Sequence, residues 1–291
     1  MPTPKETLKT AIETILTQGL TYTDGAAAKE YIATELSDAI DEYTTSSIVP
    51  DDKIKIRDDF FAAGNFITLV GSGGSVTFGT FRELTRRNTP TKAYCYGSAF
   101  AIISAAVGSR SATISGNAPI KLNTGVTDLE DVSVESVIFD TNALYVNPAL
   151  DPVLHMWGLL SAWGAYPNAA THGVYFRNPL TTESSFMRLV VMQAGVEVLN
   201  LPTTISFTSV YQAACKVNFT WDASANALTL EIRDGVTTYQ HTISSFSTTY
   251  ASVYAATLAY GIGVFRNGTG TTMLARGIGA DYVQIEFKKQ W

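Results

Sequence analysis

Cysteine occurs only twice in the 291 residues, at positions 95 and 215, and in no CxxC or Cys/His spacing. That excludes a disulfide scaffold and leaves no zinc or redox motif; two buried thiols are the plain expectation. Charge is scarce as well, with 16% Asp, Glu, Lys and Arg against about 25% in ordinary globular proteins. The formal net charge of -6 gives no basic stripe for a polyanion, so nucleic acid is not an expected partner. The one dense basic patch, "RELTRR" at 82–87, reads as a solvated loop. No stretch supplies the ~20 apolar residues of a membrane helix, and "MPTPKETLKT" lacks the apolar run of a signal peptide. The expectation is a chain made in a cytoplasm, with no membrane insertion.

Aromatic residues make up 11% and hydrophobic residues 46%, with Ser, Thr, Asn and Gly carrying much of the remainder. This is the profile of a β-rich protein with a neutral surface. Residues 4–43 differ from the rest. Leu8, Ile12, Ile15 and Leu16 follow helical spacing; after "TYTDG", Ala28, Ile32, Leu36, Ile40 and Tyr43 resume it. Two short helices with two or three apolar turns each cannot hold themselves in water, so their stripes must pack on something. Residues 1–48 therefore read as a docking or oligomerisation segment through Leu8, Ile12, Ile15, Leu16, Ile32, Leu36 and Ile40, joined to a 53–291 domain by the polar "TTSSIVPDD".

From residue 53 onward the pattern is β throughout. "GSGGSVTFG", "SATISGNAPIKLNTG" and "DVSVESVIFD" are alternating pieces parted by Gly and Asn, the last with Val132, Val134, Ser136 and Ile138 on one side. In "KVNFTWDASANALTLEIRDG", Val217, Phe219 and Trp221 alternate with polar residues, "DASAN" turns the chain, and Leu228, Leu230 and Ile232 alternate again before an Asp234-Gly235 hairpin signal. One apolar and one polar face predict a sheet packed against a second sheet. The fold expected is mainly β, an antiparallel β-sandwich preceded by a short helical segment.

The order "VNFTWDASANALTLEIRDG", "TLAYGIGVFRNGTG", "ARGIGADYVQIEF" resembles the closing half of a concanavalin-like, or laminin-G-like, jelly-roll sandwich. The likeness spans about residues 130–287, and the strands of 53–130 follow because such a sandwich needs them. The helical start ahead of a Thr/Ser/Ala/Gly-rich β body is also similar in architecture to bacteriophage virion proteins, in which a short helical piece docks a fibre or decoration protein and a β domain faces outward.

That resemblance sets what to look for. Its glycosidases need two carboxylates across a cleft. Glu130 and Glu135 point to opposite faces of a regular strand, Asp131 and Glu135 share a face without the usual arrangement, and Glu286 stands alone, so no catalytic residue is assigned. His155, His172 and His241 accompany no GxSxG elbow, and "VGSGGS" lacks the ending of a phosphate loop. The legume-type lectins bind calcium with an Asp, a Tyr-x-Asn and a following Asp. Asp140, Tyr145, Asn147 and Asp151 resemble that set at altered spacing, and turn formation explains them equally, so no metal or cofactor is assigned.

"LHMWGLLSAWGAYPNAATHG" is the best binding candidate. As one strand it would place His155, Trp157, Leu159, Ser161 and Trp163 on a common face. Trp157, Trp163, Tyr166, Asn168 and His172 could then form a glycan platform, because sugar rings stack on indoles while amides and imidazoles meet the hydroxyls. The same tryptophans read as sandwich core, or as a patch at a subunit contact. The functional expectation is a non-enzymatic virion component, a head or tail fibre or decoration protein, whose partners are other virion proteins, copies of itself as a dimer or trimer, and a cell-surface glycan. The alternative is a free carbohydrate-binding lectin. A polysaccharide-degrading enzyme rests on fold analogy alone.

Overall fold

The structure is a computed structural model that describes residues 4–19, 32, 34–36, 53–60, 64, 66–79, 82–85, 92–95, 98–104, 109–117, 120–122, 129–140, 153–163, 171–180, 182–266 and 276–289. The chain divides into two compact units, Met1–Asp52 and Lys53–Trp291. In the first, α1 spans Pro4–Gly19. Ile15 is buried, Ile12 half-buried and Leu16 46% exposed. Ile32 and residues 34–36 are also helical; Ala28, Ile40 and Tyr43 lie outside the described residues.

The second unit is built on two antiparallel sheets, with strands numbered in chain order. Sheet I runs β16 (Thr238–Ser244), β15 (Ala227–Arg233), β14 (Cys215–Asp222), β9 (Leu129–Asp140), β18 (Arg276–Lys289), β6 (Ser98–Ile103) and β3 (Gly74–Gly79), with β1 (Lys53–Asp58) also on β18. Sheet II runs β13 (Val196–Ser206), β12 (Phe186–Gln193), β11 (Gly173–Arg177), β10 (Val153–Leu160), β17 (Thr257–Arg266), β7 (Arg110–Gly116) and β2 (Phe66–Val70), with β8 (Ile120–Lys121) also on β17. A separate pair, β4 (Arg82–Thr85) with β5 (Lys92–Cys95), takes up the first part of the basic "RELTRR" stretch. The expectation of a loop fails there because Arg82 to Thr85 find a pairing partner in Lys92 to Cys95.

The inner faces form one core, and the period-two pattern decides what enters it. Val217, Phe219 and Trp221 from β14, Leu228, Leu230 and Ile232 from β15, and Val132, Val134 and Ile138 from β9 are all buried in it. They meet Trp157, Val174, Phe176, Leu189 and Val191 from sheet II. Ser136 shares the inner side of β9 for a specific reason. Its hydroxyl donates to the Tyr282 carbonyl at 2.6 Å, where the β9–β18 register slips between Ala280 and Val283. That bulge leaves the Tyr282 ring beneath Arg57 and its hydroxyl donating to Glu135 at 2.6 Å.

Two helical insertions interrupt the β pattern expected throughout. α2 (Phe207–Ala213) is capped by Ser206, whose side chain accepts from the Thr208 N–H. α3 (Phe246–Thr249) and α4 (Ala251–Ala255) follow β16 and insert Phe246 and Val253 into the core. The β15–β16 connection turns on Gly235 and Val236, one residue beyond the expected Asp234-Gly235 pair, with the Asp234 N–H donating to the Thr237 carbonyl at 3.2 Å. The Asp234 carboxylate curls over to accept from the N–H groups of Val236 and Thr237, at 3.0 and 2.8 Å. Burial pushes the Cys215 thiol up to about 12, with the Asp234 charge adding to it, so this cysteine stays protonated and inert.

Candidate functional site

The outer face of sheet II carries a charge network at the β11–β13 side. Tyr175 and Arg177 are two apart on β11 and so share that face. Arg177 lies directly opposite Arg188 on β12. Two like charges in that position repel unless counterions are supplied. Glu183, from the connection before β12, and Glu197, from β13, supply them.

Arg177 is 0% exposed, and all five of its N–H groups donate. Nη1 and Nη2 grip Glu183 at 2.6 and 2.8 Å, while Nε and Nη2 grip Glu197 at 2.9 Å each. The fifth bond goes to the Asn178 carbonyl at 2.9 Å. Glu183 also accepts from the Leu180 N–H at 2.7 Å. The Asn200 amide bridges Glu183 and Glu197 at 2.9 and 3.0 Å, and the Tyr175 hydroxyl donates to Glu197 at 3.0 Å. Arg188 donates from Nε to Asn200 Oδ1 at 2.7 Å. The cluster is electrically neutral and joins three strands to the 178–183 connection.

Chemically, this arrangement keeps the Glu183 carboxylate ionised. Burial alone would raise the Glu183 pKa, but the hydrogen bonds from Arg177, Leu180 and Asn200 outweigh it and hold the carboxyl at about 2. A glycosidase acid needs the opposite, a carboxyl kept protonated near neutrality. A carboxyl depressed in this way adds stability above its ordinary 4.5, which is lost as pH falls through about 2. Accordingly, Glu183→Gln is expected to flatten the stability profile between pH 4.5 and 2, measured by urea titrations at each pH.

The carboxylates considered from sequence lie elsewhere. Asp131 and Glu135 stand on the outer side of sheet I. Asp131 accepts from the Ala223 N–H at 3.1 Å; Glu135 pairs with Lys216 and accepts from Tyr282. Glu286 pairs with Lys55 at 2.7 Å. Glu130 falls in β9, its side chain outside the described residues; so are the side chain of Asp140 and the whole of Tyr145, Asn147 and Asp151.

The proposed glycan platform is not brought together. β10 ends at Leu160, so Trp163 does not continue the face of Trp157. Trp157 is 0% exposed between the sheets, its indole N–H donating to the Gly279 carbonyl at 3.3 Å. Trp163 is 3% exposed, clustered with Met156, Leu160 and Tyr175 of the other face, its N–H donating to the Ala259 carbonyl at 2.9 Å. It lies flat over Gly261, where an added Cβ would come within 2.6 Å of the ring. Neither indole has a face open to a sugar ring. His172 is half-buried and accepts from the Ala194 N–H; Tyr166 and Asn168 lie outside the described residues.

Sequence reasoning missed Tyr175, Arg177, Glu183, Arg188, Glu197 and Asn200. The signal was there: "GVYFRN" and "FMRLVV" each place one arginine within an apolar strand, which requires a buried counterion.

No protein-family model and no curated protein matches the sequence. Among solved structures, the endo-1,3-β-glucanase of Streptomyces sioyaensis is similar, with a TM-score of 0.50 and 15% identity over 82% of this chain and 98% of that one. Peanut lectin reaches 0.48 at 11% identity, over 81% of this chain and 97% of that one. The CBM2 module of the evolved Dit of Lactobacillus casei BL23 phage J-1 reaches 0.48 at 10% identity, over 82% of this chain and 98% of that one. What the glucanase shares with this chain is the lectin-like β-sandwich fold.

Proposed function

We propose that the chain is a non-enzymatic structural protein of a bacteriophage virion, a fibre or decoration component that docks through its N-terminal helical unit and presents the sandwich for attachment. The observation that carries the non-enzymatic part is the Arg177 network. Its two carboxylates are both bound to one guanidinium, which helps hold Glu183 ionised. The division at residues 52 and 53 supports the docking part, as does a helix that keeps Leu16 46% exposed beside a buried Ile15. An apolar stripe on a helix too short to hold itself in water is stabilised when a partner covers it.

Light scattering on the full chain tests this. A defined dimer or trimer is expected, and Ile12→Asp/Leu16→Asp should reduce it to the mass of one chain without shifting the main thermal transition. An oligomer untouched by the double substitution would place assembly elsewhere. A wild-type monomer would favour the free lectin, which a glycan array would then have to support. Release of reducing ends from any polysaccharide would overturn the non-enzymatic reading.

A further inference from the structure

His172 has no part in the charge network, and its ring is engaged in one specific contact. The residue sits between β10 and β11, fastened at both backbone groups. Its N–H donates to Ser161 Oγ at 2.8 Å, and its carbonyl accepts from the Ser161 N–H at 2.9 Å. From that fixed position Nδ1 accepts from the Ala194 N–H at 3.2 Å. Ala194 and Gly195 form the tip of the β12–β13 hairpin, with φ of 51° and 77°. Beside it, the Gly195 N–H donates to the Thr171 carbonyl at 2.9 Å.

We infer that His172 is a proton-released latch on the β12–β13 hairpin tip. Only a neutral imidazole with its proton on Nε2 can accept at Nδ1; the imidazolium has two donors and no acceptor. Protonation therefore turns the Ala194 contact from N–H···N into two opposed N–H groups. It breaks this tie and sets a positive charge against a backbone donor. Histidine is the side chain that ordinarily changes charge between pH 5 and 8.

The residues bonded to His172, Ser161 and Ala194, carry no charge, and the nearest acid along β13, Glu197, is held by Arg177 and Tyr175. Just past the tip, β13 carries Val196 and Val198, 61% and 46% exposed. Release of the tip thus loosens the end of the β12–β13 hairpin beside an edge strand whose Val196 and Val198 are already exposed.

Amide exchange followed by NMR on the ¹⁵N-labelled full chain decides this. Once corrected for the intrinsic pH dependence of exchange, protection of the Ala194 amide should fall roughly fivefold or more from pH 7.5 to 5, the scale of one hydrogen bond. Its midpoint should match the titration of the His172 Cε1–H signal. His172→Asn, whose Oδ1 stands where Nδ1 does and accepts the same bond without titrating, should keep Ala194 protected at both pH values. His172→Ala should leave it unprotected at both. If His172 titrates while Ala194 protection stays constant, or if the asparagine variant follows the wild type, the latch does not exist. The asparagine variant decides the matter even if the alanine variant fails to fold.

Discussion

Arg177→Met is expected to lower folding stability by about 3–5 kcal/mol, the scale seen when one partner of a buried ion pair is removed. The loss comes from what remains more than from the missing arginine. Glu183 and Glu197 would keep their negative charges on the sheet II face with Asn200 and Tyr175 as their remaining donors, and Glu183 would retain the Leu180 N–H. The cross-strand register adds a second consequence. Arg188 would be the cation left among the residues that bind the pair, and its Nε stands 3.6 Å from Glu183, beyond a good hydrogen bond.

Guanidinium melts of two variants separate the charge effect from simple loss of packing. The triple substitution Arg177→Met/Glu183→Gln/Glu197→Gln removes all three charges and should recover most of what the single variant loses, because a neutral set leaves no buried charge unpaired. If the triple variant is as unstable as the single one, the network acts through shape, and its charges are incidental.

How far such sites can be read from sequence follows from their range along the chain. The β14–β15 hairpin was legible because burial alternates at every second residue from Val217 to Trp221 and again from Leu228 to Ile232, and the structure buries the inner set. The network escaped the same reading because its members are brought together by strand register. Arg177 meets Arg188 and Asn200 only when β11, β12 and β13 pair as they do, with register slips on either side of the β12–β13 match. α3 and α4 escaped for another reason. Helices of 4 and 5 residues are too short to show a 3.6-residue period, and their buried Phe246 and Val253 read equally well as strand residues. Trp163 marks the third limit. The face reverses after Leu160 with no Gly or Pro between them to announce it, so an unbroken alternation through Ser161 was a fair extrapolation and an incorrect one.

Trp157→Ala distinguishes a core tryptophan from a sugar platform, and a loss of about 3–5 kcal/mol in stability is expected, the range for truncating a large buried aromatic. Trp157 is fully enclosed between the sheets, its ring edge-on to His155 at 6.3 Å, and its N–H reaches across to Gly279 on sheet I. Alanine would therefore open a cavity on the β10 line and remove a tie between the two sheets. The close-packed side chains of both sheets around it leave little freedom to collapse into that space. The measurement is a paired one: a urea melt, and glycan-array binding at a temperature where the variant stays folded. The core position predicts a large drop in the melt and binding equal to that of the parent. Unchanged stability with binding abolished would mean that the indole face is reached by ligand after all, and would restore the platform expected from sequence.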